Sequence, residues 1–187
     1  HPGVVGACQE LARRQSLKID VLPVKQLRGG RTYAKENTEL LMKELDNNLK
    51  KDTKLVVLSH LLWNTGQLMP IAEVSKKLID HPNQPYLLVD AAQSFGHIPV
   101  KEAASSADIY AFTGHKWALG PEGLGGIAVS DRLLSEVRPT ISGWRSLKNE
   151  SIVNTFDENI FQENAKRFEI ATSCFPLLAG LRCSLQL

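Results

Sequence analysis

The chain has 187 residues, 43% of them hydrophobic, and 22 basic against 20 acidic side chains for a formal charge of +2. That is enough apolar material for one real core. Basic residues are scattered, as in Lys50-Lys51 and Lys76-Lys77, which argues against a nucleic-acid partner, and no apolar run approaches the roughly 20 residues of a membrane span.

Pro2 suits a helix start, and Val4 to Gln15 follows as an amphipathic helix with Val4, Val5, Cys8, Leu11 and Ala12 on one side. Leu17–Val24 alternates as a strand. Arg28-Gly29-Gly30-Arg31 reads as a flexible connection, and Glu36 to Lys50 as a helix carrying Leu40, Leu41, Leu45 and Leu49. Lys54–His60 is a continuous apolar run, the pattern of a strand buried on both faces. A helix opened by Pro70 runs over Ile71–Leu78, and strands follow at Tyr86–Val89 and at Ala107 to Thr113. Gly126–Ser130 predicts a hairpin or neighbouring strand. Beyond Pro139 the pattern loosens: Ser142–Arg145 and Asn154–Asn164 read as long surface excursions, and Phe175–Leu187 as an apolar helix begun at Pro176. Strands alternating with helices imply an α/β fold with a mostly parallel sheet and flanking helices.

Cys8, Cys174 and Cys183 are odd in number and lack metal-ligand or redox spacing. They predict packed free thiols in a reducing, cytoplasmic compartment, and no metal site. No secretory or transit segment is visible. The chain opens His1-Pro2-Gly3 without an initiator methionine and stops inside an apolar helical pattern, as expected of a piece of a longer polypeptide.

The reactive residues gather at strand ends. Tyr86-Leu87-Leu88-Val89 runs into Asp90 and turns through Ala91-Ala92-Gln93-Ser94; Ala107–Phe112 runs into Thr113-Gly114-His115-Lys116. In open α/β sheets the carboxyl edge is where ligands bind. An aspartate and a lysine so placed are the pair that pyridoxal phosphate needs. The lysine bonds covalently to its aldehyde, and the aspartate keeps the pyridine nitrogen protonated so that the ring accepts electrons. Gln93 can hydrogen-bond the ring hydroxyl oxygen, and Thr113 and His115 can both donate to the phosphate. After Lys116 comes the glycine-rich Gly120-Pro121-Glu122-Gly123-Leu124-Gly125-Gly126, which lets backbone approach a planar ligand. Each residue also has a plainer reading: a turn lysine for Lys116, a helix N-cap for Asp90, a solvated turn for Gln93, a packed ring for His115.

The motifs Val89-Asp90-Ala91-Ala92-Gln93-Ser94 and Phe112-Thr113-Gly114-His115-Lys116 resemble those of the class V aminotransferase-like proteins of the cysteine desulfurase group, which are fold-type I pyridoxal-phosphate enzymes. The resemblance spans essentially the whole chain. It is closest to the cystine/cysteine C–S lyases of cyanobacterial type, through His60–Gln67, Gly143-Trp144-Arg145-Ser146 and Arg167–Ser173. It implies that residues 1–187 are most of a cofactor-binding large domain, with a preceding segment and a small C-terminal domain outside the chain. Lys116 is then the cofactor lysine and proton shuttle, Asp90 the pyridinium partner, Gln93 the ring-hydroxyl partner, and Thr113 and His115 phosphate contacts. His1 matches a histidine that stacks on the ring. Thr172 resembles a residue reaching the partner subunit's phosphate in a homodimer; a helix-start threonine is the alternative. Where desulfurases place an asparagine near the ring hydroxyl, Trp63 stands in register and Asn64 comes next.

Asn64, Trp144 and Arg145 are candidates on the side of a small amino-acid substrate, with packing an equal reading for Trp144. Arg167 is left between an acidic neighbour and a ligand anion, and His60, Asp108 and Glu122 are read as structural. The implied reaction is β-elimination from cystine or cysteine, giving pyruvate, ammonia and a persulfide or sulfide. The same scaffold also supports desulfuration, transamination or epimerisation, and a non-enzymatic cofactor-binding module is the alternative from another class.

Overall fold

The computed structural model describes residues 1–27, 34–148 and 160–187. Four strands form one sheet in the order β1-β2-β3-β4: β1 (Leu55–Ser59), β2 (Tyr86–Asp90), β3 (Ile109–Thr113) and β4 (Gly125–Val129). The first three are parallel, and β4 returns antiparallel to β3. The register puts Ser59 beside Asp90 and Asp90 beside Ala111, so the parallel strands finish at one level. The mostly parallel α/β architecture expected from the alternation is therefore present.

Two helices cross between the parallel strands, α3 (Ile71–Ile79) and α4 (Lys101–Ser106), as parallel pairing requires. The helix α2 (Ala34–Asn48) adds Leu41 and Leu45 to the core. These leucines pack with Ile71, Val74 and Leu78 of α3 and with Leu87, Val89 and Tyr110 of the sheet. Each such aliphatic side chain contributes about 1.5–3 kcal/mol by leaving water. The remaining helices are α1 (Pro2–Gln15), α5 (Asp131–Glu136) and α6 (Phe175–Ser184). Among the described residues no helix is long and apolar enough to cross a membrane.

Several expectations need correction. Residues 17–24 are not a strand. Their alternation does turn Leu22 and Val24 toward the core, but among the described residues no strand lies beside them to take the backbone hydrogen bonds. The first sheet strand is not buried on both faces either: β1 is the terminal strand of the described sheet, and Leu55 is exposed. Packed thiols hold for none of the cysteines in full. All are free, Cys8 half-buried and Cys174 and Cys183 exposed, because α1 and α6 bury no residue completely. The Arg28–Arg31 connection and positions 154–159 of the second excursion lie outside the described residues. Ile160 onward is tied down rather than free: Lys148 N–H donates to Ile160 O at 2.8 Å and Gln162 N–H to Ser146 O at 2.8 Å.

Asp108, at the amino end of β3, is structural as read. Its carboxylate takes Leu87 N–H at 2.9 Å, Ser130 Oγ at 2.8 Å and the Arg132 guanidinium at 2.5 Å. Burial alone would push this carboxyl up, but the Arg132 hydrogen bonds with those of Leu87 and Ser130 more than offset it and hold it below the usual range. Arg167 is also structural. Its guanidinium donates to Leu134 O at 2.7 Å and Val137 O at 2.9 Å, satisfying carbonyls at the end of α5.

Candidate active site

A cleft of about 270 Å³ opens at the carboxyl ends of the parallel strands. Its walls come from four places in the chain: His1 and Val4 at the start of α1, Ser59 with Leu61 and Trp63 after β1, Asp90 with Gln93 after β2, and Lys116 after β3. Four predicted site residues, His1, Asp90, Gln93 and Lys116, thus share one cavity. A larger hollow, about 500 Å³, lies between α4 and the β4–α5 corner, lined by Lys101 and Asp131 among small residues, with no convergent reactive groups.

Asp90 is held by its backbone and by one carboxylate oxygen. Its carbonyl accepts from His60 N–H at 2.9 Å, and Oδ1 accepts from Ala92 N–H at 3.0 Å. Oδ2 has no partner among the described residues. Likewise no described residue pairs with the Lys116 ammonium in a salt bridge. Gln93 Oε1 accepts the indole N–H of Trp117 at 2.9 Å, which leaves its amide Nε2–H groups as the free end. Among the described residues, an amine, a carboxylate oxygen and an amide donor are therefore left without protein partners around one cavity. These are complementary to an aldehyde, a protonated ring nitrogen and a ring oxygen.

A buried network lies among these strands. Tyr110 OH lies 2.8 Å from His60 Nδ1 and 2.9 Å from Ser94 Oγ, joining the ends of β1 and β2 to β3. Burial pushes the His60 imidazole from 6.5 down to about 4, so it stays neutral at physiological pH. The loop after β2 is also pressed onto the lysine loop. Gly96 has φ +80°, and a Cβ there would lie 2.5 Å from Ala118 N and from the Trp117 carbonyl. The lysine loop is itself closed by Gly114 N–H to Leu124 O at 2.9 Å and by Gly120 N–H to Gly114 O at 2.8 Å.

Other predicted residues sit elsewhere. Thr113 Oγ1 and His115 Nδ1 share a 2.5 Å hydrogen bond, with His115 exposed, and neither lines the cleft. His1 lines it, but its Nδ1 accepts Gly3 N–H at 3.1 Å as the N-cap of α1, and its ring meets Trp63 edge-on at 5.9 Å. Trp63 lines the cleft, whereas exposed Asn64 does not. Trp144, Arg145 and Thr172 also lie off it. Arg145 reaches Glu169 at 3.3 Å and stacks over Trp144 at 5.1 Å, while Ser146 Oγ donates to Glu169 O at 2.7 Å. These contacts bind the Trp144–Ser146 turn to the segment before Thr172; Thr172 itself is exposed.

Sequence reasoning missed Ser59, Leu61 and Val4 as walls, and missed Gly96, His97 and Trp117 as neighbours of the reactive set. Trp117 directly follows Lys116, which was the one available signal; a strand-end serine and a loop histidine carry none.

The profile of the family Aminotransferase class-V matches residues 1–187. The chain belongs to this family. Among solved structures, this class V aminotransferase chain is similar to the cystine C–S lyase C-DES in complex with its reaction product cysteine persulfide. Identity is 40% with a TM-score of 0.81, over 100% of this chain and 46% of that one. A mutant of C-DES with glycine covalently linked to the PLP cofactor aligns at 39% identity and TM-score 0.83, again over 46% of its length. The chain is also 30% identical over 174 residues to a probable cysteine desulfurase of Pasteurella multocida, covering 92% of this chain and 36% of that protein. A probable cysteine desulfurase of Mycolicibacterium paratuberculosis is 31% identical over 142 residues, 76% of this chain and 20% of its own length. The chain thus spans less than half the length of these relatives.

Proposed function

We propose that residues 1–187 form most of the pyridoxal-phosphate-binding domain of a carbon–sulfur lyase acting on cystine or cysteine. One observation carries the reading: Lys116, Asp90 and Gln93 line a single cleft. Bound there, pyridoxal phosphate supplies an electron sink that makes the α-carbon of an amino acid acidic. Lys116 Nζ would hold the cofactor aldehyde carbon and, when free, accept the α-proton. Asp90 Oδ2 would hold the proton on the pyridine nitrogen, and Gln93 Nε2 would donate to the ring hydroxyl oxygen. The hydrogen-bonded Thr113–His115 pair would meet the phosphate, and His1 and Trp63 would wall the ring.

Elimination then releases the β-sulfur group. Water completes the balance: cystine gives pyruvate, ammonia and cysteine persulfide, and cysteine gives pyruvate, ammonia and sulfide. The persulfide leaves more readily because its pKa is lower than that of an ordinary thiol. Similarity to C-DES over the whole chain supports the lyase. The desulfurase-named relatives support a second reading, in which alanine is formed and the sulfur is kept on a protein thiol. We further infer a homodimer in the cytoplasm, with Thr172 directed to the partner subunit and Trp144 and Arg145 brought to the substrate in the assembled site.

The test is a product assay with pyridoxal phosphate and cystine or cysteine. Pyruvate with persulfide or sulfide supports the lyase; alanine without pyruvate refutes it in favour of desulfuration. Lys116→Ala should remove the visible absorbance band of the bound cofactor, and an unchanged band would refute the role of the lysine.

A further inference from the structure

Gln93 has a side chain that can turn either end toward the cleft. An amide presents a donor group or an acceptor oxygen depending on a rotation about its last bond, and only the donor end suits an electron-rich ring oxygen. What selects the end is Trp117. The indole N–H is a donor with no acceptor capacity, so at 2.9 Å it captures Oε1 of Gln93 and leaves Nε2 facing away from it.

Trp117 is itself restrained from two sides. Its ring stacks on His97 at 4.0 Å and 14°, and His97 Nδ1 lies 3.4 Å from the Gln93 carbonyl. Its carbonyl abuts Gly96, where a side chain has no room. Yet Trp117 is 47% exposed and absent from the cleft lining, so packing alone does not explain its contacts. Ring stack, glycine contact and the hydrogen bond to the Gln93 amide oxygen all join the loop after Asp90 to the residue beside Lys116.

We propose that Trp117, braced by His97, is a positioning residue that fixes the Gln93 amide with its donor end toward the cofactor's ring oxygen. This rests on the cofactor reading above. It makes Gln93 a preorganised donor, so binding does not have to order its side chain.

The test is titration of the cofactor-free full chain with pyridoxal phosphate, read by visible absorbance. Trp117→Phe keeps a ring to stack on His97 and deletes only the N–H. Its Kd should rise about three- to tenfold, the cost of ordering one flexible side chain. The pH at which the bound chromophore titrates should move upward, because a poorly held donor leaves the ring oxygen more basic. In a Gln93→Leu background, Trp117→Phe should add nothing, since its effect passes through Gln93. A Kd within about twofold of wild type with an unmoved titration overturns the proposal, as does full additivity of the two substitutions. Lys116→Ala separates the two levels. If it loses the visible band while Trp117→Phe is silent, only the positioning role falls. If it retains the band, the cofactor reading falls and this inference with it.

Discussion

Replacing Gly96 by alanine tests the seam that joins the aspartate loop to the lysine loop. A Cβ at this position would sit 2.5 Å from Ala118 N and from the Trp117 carbonyl carbon and oxygen. Ordinary van der Waals contact begins near 3.4 Å, so the loops must part by roughly an ångström. The left-handed φ of +80° adds about 1 kcal/mol for any residue with a Cβ, and overpacking against backbone adds about 1–3 kcal/mol. Gly96→Ala should therefore lower stability by about 2–4 kcal/mol. Gly66 isolates the backbone cost: its φ is +67° but nothing lies within 4 Å of its Cβ position, so Gly66→Ala should cost only about 1 kcal/mol. Urea denaturation of both variants measures the difference. Because the displacement separates Lys116 from Asp90 and Gln93, Gly96→Ala should also weaken pyridoxal phosphate binding by about tenfold or more. Equal destabilisation by the two alanines, with unchanged cofactor affinity, would refute the close approach.

His60 should make the fold acid-sensitive. Burial holds its folded pKa near 4 against 6.5, so between these values the unfolded chain binds a proton that the folded one does not. Its contribution is complete above pH 6.5 and falls by up to about 3 kcal/mol on going down to pH 4. Urea midpoints across that range should slope less in His60→Asn, and identical slopes would remove His60 as the cause. At the opposite end of the sheet, Asp108→Asn leaves the Arg132 guanidinium without its counter-charge. Allowing for the partial exposure of Arg132, the loss should be about 2–3 kcal/mol in denaturation. Pyridoxal phosphate affinity should not change; a weakened affinity would show that the two ends of the sheet are coupled.

The placement of Asp90 and Lys116 on one cleft was legible because both residues are local to strand ends. An apolar run that stops at Asp90, and another that stops before Lys116, locate both groups at a sheet edge with no tertiary information. Thr113 and His115 were legible as neighbours of the lysine, and they do bond each other, but a strand-end position does not tell which way a side chain turns. Leu17–Val24 misled for a related reason. Alternation records which residues face the core, whereas a strand also needs a neighbouring backbone to pair with, and among the described residues none lies there. Asp108 and Arg167 could not be assigned partners from sequence, since Arg132 and the carbonyls of Leu134 and Val137 become neighbours only through folding.

By itself the order of residues determined the α/β alternation, the helix starts at prolines, and the identities of the amine, acid and amide that gather at the sheet edge. These follow from periodicity and backbone chemistry acting over a few residues. Tertiary structure alone decided that β1 ends the sheet of the described residues, that His60, Ser94 and Tyr110 share one buried network, and that an indole selects the face Gln93 presents. Such pairings join segments far apart in the chain, and they exist only because packing the sheet against α2, α3 and α4 fixes where each loop can go.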